Sequence, residues 1–521
     1  MKNFSQNIQE NYNFSGEHID IGVALYENEI FSDTHVSIPL STLNRHGLIT
    51  GATGTGKTKT IQKLLERLSD AGVPSVMMDI KGDISGLSMP GEYSEKLQKY
   101  IDKFGDLEWQ ARGFPVEFFS LLNEGGAQVR STVSEFGPFL FARVLGLSSV
   151  QTAALTIIFK YADDHGLLLV DLEDLETLLS FLATDGKNEL ASYGQISQAT
   201  IQVIMRQIIV LKSQGASQFF GEKSLDMSDL MRVDDEGKGQ INIIRLMNSL
   251  RYPQLFSTMM IQILTELFGT LPEIGDISKP KLVVIIDEAH LLFRDLPNEI
   301  LSEFEVIIKL IRSKGVSVIF CTQNPMDIPE IILSQLGLKI QHALRAFTAK
   351  DNESIKKMAK NFPVSEFYDI EKNLTTLGTG EAFVTTIGEN GNPTPLVMTK
   401  IFPPESRMDT ITDAELASFL SISPIFASYK NPINPESAQE ILAQKMMMIQ
   451  SQKREEEAEK ARIMTEKERR KNPTMTDAIV ESVTKTFGKE IARSVGTKIG
   501  GRRMGSIGAE IARGILGSIF K

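Results

Sequence analysis

Apolar residues recur along this chain in two alternating patterns, short continuous runs and helically spaced stripes. The runs are typical of buried strands and lie at 48–50, 76–78, 116–119, 241–244, 282–286, 316–320, 338–344 and 382–384. The stripes have the i, i+3, i+4, i+7 spacing of an amphipathic helix, as at Ile61, Leu64, Leu65 and Leu68. Strands that alternate with helices predict an α/β fold with a mainly parallel sheet.

The helical spacing dominates one long stretch, residues 126–235. Its apolar faces include Leu155, Ile158, Phe159 and Ala162, and then Ile201, Ile204, Ile208 and Leu211. We therefore expect a helical domain inserted into a core formed by residues 47–125 and 236–403. Before this core, residues 1–46 predict a short β-containing segment, otherwise irregular, with a short strand at 35–38.

After Pro403-Pro404, the pattern predicts three further parts: a polar linker over 404–434, a long charged helix over 435–471 and a Gly-rich basic segment over 472–521. Mixed charge from Lys453 to Lys471 is typical of a solvated helix face. A coiled-coil contact is the alternative, although an apolar seam sustained over several heptads is missing. This helix is also a candidate docking site for a protein partner.

The last segment admits two interpretations. Its apolar positions, Ala478, Val480, Val483, Phe487 and Ile491, suit an amphipathic helix that lies across a neighbouring subunit, with Arg493 or Arg513 near its nucleotide. The alternative is a flexible tail, because an isolated helix of this kind is marginal in water.

Composition narrows the class of protein. Of 521 residues, 42% are hydrophobic and 23% charged, as in ordinary soluble proteins. No leader-like apolar region or membrane-length run is present, so we expect a cytoplasmic protein without a membrane partner. A single cysteine excludes an internal disulfide and a cysteine-based zinc site. The net charge of −11 argues against a simple nucleic-acid coat but allows a ring with a basic lining.

The most specific motif is a complete P-loop, GATGTGKT, at residues 51–58. A glycine loop between a strand and a helix presents backbone N–H groups to the phosphates of a nucleotide. The candidate cofactor-binding residues are Gly51, Thr53, Gly54, Thr55, Gly56, Lys57 and Thr58. Lys57 can reach the β- and γ-phosphates, and the Thr58 hydroxyl can ligate Mg²⁺. We expect ATP and Mg²⁺ as cofactors.

Two further strand ends supply candidate chemistry. The apolar run 282–286 leads into Asp287 and Glu288, which we assign to the Mg²⁺ shell and to general-base activation of water. The alternative is a pair of acids that only cap the following helix. The run 316–320 leads to Gln323, whose amide can sense the γ-phosphate at a strand's carboxyl end; a plain turn is the alternative.

Together these motifs resemble the HerA/FtsK superfamily of ring-forming DNA-pumping ATPases, and most closely its HerA-like helicase branch. The resemblance covers roughly residues 45–400. The motifs that carry it lie at 51–58, 79–83, 286–289, 312–316 and 322–325. It implies a RecA-like core and a homo-oligomer, usually a hexamer, around DNA. HerA proteins usually carry a substantial N-terminal β-barrel, for which the 45 or so residues before the P-loop are too few.

The resemblance also implies residue roles. An arginine eleven residues before the sensor glutamine acts in the superfamily as an arginine finger for the neighbouring subunit, and Arg312 stands at that position. A surface arginine at a helix end is the alternative, and Arg345 is a second candidate for the subunit junction. Residues 378–382 resemble the glycine turn before the family's closing strand, which is a structural role.

Other functions compete with a DNA motor. Residues 287–290 spell the DEAH box of two-lobed helicases, but no second-lobe arginine motif follows, so His290 is interpreted as a packing or supporting residue. An ATP-driven assembly switch or scaffold, acting on a protein partner, is the main alternative. A motor that moves peptide or protein is a third possibility. Stimulation of ATP turnover by DNA distinguishes the first from the others.

Overall fold

A computed structural model describes residues 2–471 except 106, 249–251, 276, 295 and 347, together with 479–480 and 482–486. Its strands are β1 His18–Tyr26, β2 Glu29–Pro39, β3 Gly47–Thr50, β4 Ser75–Asp79, β5 Val116–Ser120, β6 Ala127–Gln128, β7 Ile241–Arg245, β8 Leu282–Ile286, β9 Val316–Thr322, β10 Leu338–His342, β11 Glu381–Thr385 and β12 Val397–Ile401.

Helices alternate with these strands through most of the chain. They are α1 Lys2–Tyr12, α2 Leu40–Leu43, α3 Lys57–Asp70, α4 Glu95–Ile101, α5 Val133–Val144, α6 Ser149–Asp164, α7 Leu172–Ala183, α8 Lys187–Leu190, α9 Gln198–Ser213, α10 Pro253–Thr270, α11 His290–Phe293, α12 Asn298–Ile311, α13 Glu330–Leu333, α14 Ala349–Ala359, α15 Ile370–Thr376, α16 Asp413–Ile422, α17 Pro424–Tyr429 and α18 Ala438–Lys471. Among the described residues, no helix combines the length and apolar character needed to cross a membrane.

The described strands form one sheet in the order β2-β1-β12-β11-β10-β3-β9-β8-β4-β7-β5-β6. All neighbours from β10 to β6 pair in parallel, whereas β10-β11, β11-β12, β12-β1 and β1-β2 pair antiparallel. The predicted α/β class with a mainly parallel sheet is therefore confirmed. Helices α5 to α9 lie between β6 and β7 in the chain, where the helical spacing predicts them.

The register of the central strands brings their carboxyl ends to one edge. Thr50 at the end of β3 pairs with Thr322 at the end of β9. Phe320 of β9 pairs with Ile286, the last residue of β8, and Ile286 pairs with Met78 near the end of β4. The segments that follow these four strands therefore share one edge of the sheet, where ligands bind in parallel α/β folds.

The stripe on α3 forms part of the core beneath this edge. Ile61, Leu64, Leu65 and Leu68 are at most 2% exposed and belong to the same buried cluster as Ile285 and Ile319 of the central strands. Burying these side chains stabilises the fold by roughly 1.5–3 kcal/mol each. The packing fixes the direction of α3 relative to β3 and so the shape of the loop between them.

The N-terminal segment is more regular than its sequence predicts. It contains the eleven-residue helix α1 and the strands β1 and β2, of nine and eleven residues, rather than irregular chain with short strands. β1 pairs with β12, so Gly22 lies opposite Ile401 and the segment extends the main sheet. Phe4 and Ile8 of α1 are buried, and this burial explains why the segment is ordered.

Residues 404–434, predicted as a linker, contain α16 and α17 and begin with a buried contact. The backbone N–H groups of Glu405 and Ser406 donate to Glu66 of α3, and Lys63 pairs with Glu405 at 2.6 Å. The contacts divide the chain into two units, residues 1–443 and 444–521. The functional division into core, helical insertion and C-terminal parts stays a prediction.

The long charged helix is present as α18, which begins three residues later than predicted and reaches Lys471. Its side chains from 450 to 467 are all exposed, in agreement with a solvated face. The predicted amphipathic helix 478–491 lies outside the described residues except for 479–480 and 482–486, which are helical. Arg493 and Arg513 also lie outside the described residues.

Candidate active site

The P-loop connects β3 to α3 at the edge defined above. Gly51, Gly54 and Gly56 all have positive φ, of 149°, 79° and 112°. A Cβ atom on Gly51 would lie 2.5 Å from Cβ of His342, so this position requires glycine. Gly56 caps α3 without a side-chain hydrogen bond to the first turn. Free N–H groups and the helix dipole at this end favour an anion such as phosphate.

Lys57 begins α3 and points back into the loop. Its ammonium donates to the carbonyl oxygens of Gly51 and, at 3.3 Å, Ala52. Burial, together with the nearby charge of Lys81, lowers the pKa of Lys57 from its ordinary value, although Glu288 opposes the shift. The sequence therefore places a poorly hydrated cation inside the loop, where it can exchange carbonyl oxygens for phosphate oxygens.

Thr58 lies beside Asp83, a carboxylate for which the motif pattern predicts no role. Its hydroxyl donates to Asp83 Oδ2 at 3.2 Å. Asp83 follows β4, which is separated from β3 by β8 and β9 in the sheet. Asp83 is part of the motif at 79–83 on which the family resemblance partly rests. The order of elements in the chain, however, does not indicate that this turn contacts the P-loop helix α3.

The turn after β4 is held by a buried carboxyl group. Asp79 accepts hydrogen bonds from the N–H groups of Gly82 at 2.8 Å and Ile84 at 3.4 Å. Burial and the charge of Asp83 raise the pKa of Asp79 to about 7, and these two hydrogen bonds oppose the rise. The turn is thereby fixed with Lys81 at its centre, facing β8.

Asp287 and Glu288 follow β8, and both are 6% exposed. Lys81 Nζ lies 2.6 Å from Glu288 Oε1 and 3.7 Å from Asp287 Oδ2. Burial raises the pKa of Asp287, and Lys81 only partly offsets the rise. Burial also acts to raise the pKa of Glu288, but the hydrogen bond and charge of Lys81 outweigh it and the pKa lies below its ordinary value.

Gln323 connects the loop to these carboxylates. Its side-chain Nε2 donates to Glu288 Oε1 at 3.3 Å, and its Oε1 accepts from the Thr53 hydroxyl at 3.3 Å. The structure thus brings together the P-loop, Asp287, Glu288 and Gln323, as the sequence analysis expects. His290, at the start of α11, lies 3.2 Å from Glu288 Oε2, in line with a supporting position.

The two candidate arginines lie at different edges of the sheet. Arg312 is exposed and precedes β9, whereas Gln323 directly follows this seven-residue strand. At about 3.3 Å per residue, the strand separates Arg312 from the P-loop edge by roughly 20 Å. Arg345 instead lines a cavity of about 460 Å³ beside the P-loop, together with Thr53 and Gln323.

The glycine turn at 378–382 also contacts the P-loop, which the sequence did not reveal. The N–H of Gly380 donates to the carbonyl oxygen of Thr55 at 3.1 Å. His342, at the end of β10, is buried and bonds Thr60 on α3 at 2.9 Å. Burial lowers the pKa of His342 to about 4. These contacts of Gly380 and His342 hold the P-loop on the side opposite to Glu288.

The donor set suits Mg²⁺ held together with a nucleotide. The described residues contain no group of three or more His, Cys, Asp or Glu that could bind a metal by themselves. Mg²⁺ prefers one or two carboxylates completed by phosphate and water, and Thr58, Asp83 and Asp287 offer such a partial set. Glu288 Oε2 is buried without a hydrogen-bond partner among the described atoms, as expected of an oxygen that binds water.

Comparison with known proteins gives the family. The profile described as Helicase HerA-like C-terminal matches residues 26–521. The chain is 25% identical over 372 residues to the DNA double-strand break repair helicase HerA of Sulfurisphaera tokodaii, and 23% over 361 residues to that of Sulfolobus acidocaldarius. Each match covers 68% of this chain, and the chain spans 65% of the length of each relative.

A solved structure has a fold similar to that of this chain. The bacterial conjugative coupling protein TrwBΔN70 in its unbound form matches 78% of this chain and 95% of its own, with 14% identity and a TM-score of 0.50. This likeness concerns the fold alone. The family profile, in contrast, extends over nearly all of the chain and includes every motif of the site described above. The chain belongs to the HerA-like helicase C-terminal family.

Proposed function

We propose that this protein is a Mg²⁺-dependent ATPase that works as an oligomer, a hexameric ring, and moves along DNA. The observation that carries the proposal is the position of Gln323. Its side chain joins Thr53 of the P-loop to Glu288 at one edge of the sheet. Gln323 therefore lies within hydrogen-bond reach of both the proposed nucleotide cradle and the proposed base, as hydrolysis of a bound nucleotide requires.

Each residue has a role that follows from its position. The P-loop N–H groups and Lys57 bind the phosphates of ATP, while Thr58 and Asp287 hold Mg²⁺. When bound, Mg²⁺ supplies a positive charge that neutralises phosphate oxygens. Glu288 orients the attacking water and accepts its proton, since Oε2 is buried and has no hydrogen-bond partner among the described residues. Gln323 reports the γ-phosphate to the loop and to Glu288.

The proposed ring rests on Arg312. This residue lies roughly 20 Å from the P-loop edge of its own chain, a distance estimated from the length of β9. An exposed arginine at that edge is available to a neighbouring protomer, whose phosphates it can stabilise as an arginine finger. Such a residue contributes roughly 10³–10⁵ in rate in other nucleotide hydrolases. A head-to-tail contact repeated around a closed ring supplies one finger to every site.

DNA is proposed as the substrate because both HerA relatives are described as DNA double-strand break repair helicases. The net charge of −11 requires the DNA-contacting surface to be locally basic. The alternative is an ATP-driven assembly switch that acts on a protein partner. The exposed, densely charged surface of α18 favours that alternative, because such a helix suits a protein contact.

One experiment separates these functions. ATP turnover is measured without nucleic acid, with duplex DNA and with single-stranded DNA, at increasing salt concentrations. For a DNA motor, turnover should rise with DNA, and the rise should weaken as the salt concentration increases. Turnover that DNA leaves unchanged at every salt concentration would favour the switch.

The same assay tests the assigned base. Glu288→Gln is expected to bind ATP as the wild type does and to lose about 10²–10⁴ in turnover. Glu10→Gln, at an exposed position on α1, is the matched control and should retain full activity. A Glu288→Gln variant with wild-type turnover would remove Glu288 from the mechanism.

A further inference from the structure

Glu288 Oε1 and Oε2 have different surroundings. Oε1 accepts from two side chains, the Lys81 ammonium at 2.6 Å and the Gln323 amide at 3.3 Å. Oε2 is buried, and although His290 Nδ1 lies 3.2 Å away, no group in the described part of the chain contacts Oε2 with hydrogen-bond geometry. Since a carboxylate oxygen has two lone-pair directions, Oε1 is fully engaged and Oε2 is the oxygen left for a further ligand.

Lys81 is the stronger of the two partners of Oε1. A charge-assisted contact of 2.6 Å is roughly twice as strong as a bond between neutral groups. The same ammonium lies 3.7 Å from Asp287 Oδ2. Two adjacent carboxylates, each 6% exposed, repel one another unless a cation lies between them, and Lys81 is that cation in this arrangement.

The turn that carries Lys81 is built to hold it there. Asp79 fixes the backbone through the N–H groups of Gly82 and Ile84. Gly82 has a φ of 78°, and a Cβ atom at this position would lie 2.5 Å from Met247 Sδ. β4 and β8 are neighbours with Met78 opposite Ile286, so the turns that follow them face each other. The turn and the sheet thus fix the backbone position of Lys81, and only its flexible side chain remains free to adjust.

The backbone of Glu288 has an unfavourable conformation, which contacts with other residues must stabilise. Its φ of 46° lies in the left-handed region, which a non-glycine residue adopts only at an energetic cost. Among the contacts of the Glu288 carboxylate, the shortest is the one with Lys81, at 2.6 Å.

We propose that Lys81 is a positioning residue, which holds Oε1 of Glu288 so that Oε2 faces the attacking water. This inference rests on the proposed function, in which Glu288 is the general base. Lys81 acts through Glu288 and does not bind the phosphates; Lys57 does that from the P-loop. Removal of Lys81 therefore slows the chemical step and leaves the binding of ATP unchanged.

The first test compares three variants in steady-state ATP turnover. Lys81→Met removes the ammonium and keeps an unbranched side chain, and it should lower kcat about 10–100-fold with KM within about threefold of the wild type. Lys81→Arg restores a donor and should recover most of the lost kcat. Lys96→Met, at an exposed position on α4, is the control and should behave as the wild type.

The second test is a double-mutant cycle with Glu288→Gln. If Lys81 acts through Glu288, Lys81→Met should have no further effect on kcat when Glu288 is already glutamine. A merely structural role for Lys81 would lower kcat by the same factor in both backgrounds. ATP affinity, measured by titration with a fluorescent ATP analogue, shows that each variant has folded with an intact cradle.

The outcomes separate the two proposals. An unchanged kcat for Lys81→Met, a raised KM with unchanged kcat, or equal losses in both backgrounds would each overturn the role of Lys81 and leave Glu288 as the base. Wild-type turnover by Glu288→Gln would instead overturn the proposed function on which the inference rests. A loss confined to the background that retains Glu288 supports Lys81 as the positioning residue.

Discussion

The Thr58 hydroxyl donates a hydrogen bond of 3.2 Å to Asp83 Oδ2, and this contact joins the P-loop helix to the turn after β4. Asp83 thereby adds negative charge next to the hydroxyl assigned to Mg²⁺. We expect Asp83→Asn to raise the Mg²⁺ concentration for half-maximal ATP turnover about 3–10-fold, because a carboxylate near the ion contributes roughly 1 kcal/mol of attraction. The measurement is turnover against Mg²⁺ concentration at saturating ATP.

The control for this prediction is Asp163→Asn, at an exposed position on α6 of the helical block. This substitution also removes one negative charge, but at a position that is distant from the P-loop in the sequence. An identical Mg²⁺ dependence in wild type and Asp83→Asn would mean that Asp83 only orients the Thr58 hydroxyl.

Lys57→Ala tests the cradle itself. Lys57 is 8% exposed and already donates to P-loop carbonyl oxygens, so its ammonium is held where phosphate oxygens would bind. We expect the variant to lose at least about tenfold in ATP affinity, since charge-assisted hydrogen bonds contribute roughly 1.5–3 kcal/mol. Equilibrium titration with a fluorescent ATP analogue measures this loss, and wild-type affinity would exclude Lys57 from phosphate binding.

The arginine finger can be tested by mixing variants. Arg312→Ala alone should bind ATP normally and lose about 10³-fold or more in turnover. In a mixture with Lys57→Ala, some sites combine an intact P-loop with an intact Arg312 from the neighbour. At equal amounts, about a quarter of the sites are restored if protomers mix randomly around the ring.

If Arg312 instead acts within its own chain, the mixture is not restored. No protomer then carries both an intact Lys57 and an intact Arg312, so turnover stays at the level of the variants alone. Arg345→Ala is the comparison, since Arg345 already lines the cavity beside its own P-loop. Restored turnover with Arg345→Ala in place of Arg312→Ala would move the finger to Arg345.

His46 leads to a prediction on pH. It is 2% exposed, its Nε2–H donates to the carbonyl oxygen of Ile308 at 2.7 Å, and its Nδ1 accepts from the N–H of Val318 at 3.0 Å. Burial lowers the pKa of His46 to about 4, and the nearby charge of Arg312 adds to the shift. The neutral ring is therefore the form that fits between α12 and β9.

Since the folded-state pKa lies below the ordinary value near 6.5, His46 contributes its full stability above pH 6.5. That contribution, on the order of 3 kcal/mol, is lost as the pH falls from 6.5 towards 4. Urea unfolding, followed by the fluorescence of Trp109, isolates His46 when the wild type and His46→Gln are compared, because Asp79 and His342 titrate in both. The midpoint of the wild type should exceed that of His46→Gln above pH 6.5, and the difference should shrink as the pH falls towards 4. His18→Gln, at an exposed position, should follow the wild type at every pH; a difference between wild type and His46→Gln that does not change with pH would contradict the role of His46.

The order of motifs in the chain sufficed for the central part of the site. Gly51, Asp287 and Gln323 each follow an apolar run, and parallel strands bring their carboxyl ends to one edge. The contacts of Lys81 and Asp83 do not follow from the sequence, because they depend on β4 lying next to β8 in the sheet and strand order is not encoded locally. The contacts of Gly380 and His342 with the P-loop were missed for the same reason.

The N-terminal segment shows a second limit. A strand at the sheet edge, such as β2, carries mixed polar and apolar residues, so its run of apolar positions is short although the strand spans eleven residues. β1 and β2 pair with each other along most of their length, from His18 opposite Pro39 to Tyr26 opposite Glu29, and β1 also pairs with β12, nearly the whole core away in sequence. The sequence predicts a polar linker over residues 404–434 because the groups that bury Glu405 lie on α3, which is distant in the chain.

In the proposed DNA motor, each active site is completed by a neighbouring protomer. ATP turnover per protomer, with and without duplex DNA, tests this directly when it is measured across a dilution series whose molecular mass is followed in solution. Turnover should rise steeply as the oligomer assembles and rise again with DNA. Full turnover by a dilute monomer that DNA does not stimulate would contradict this proposal.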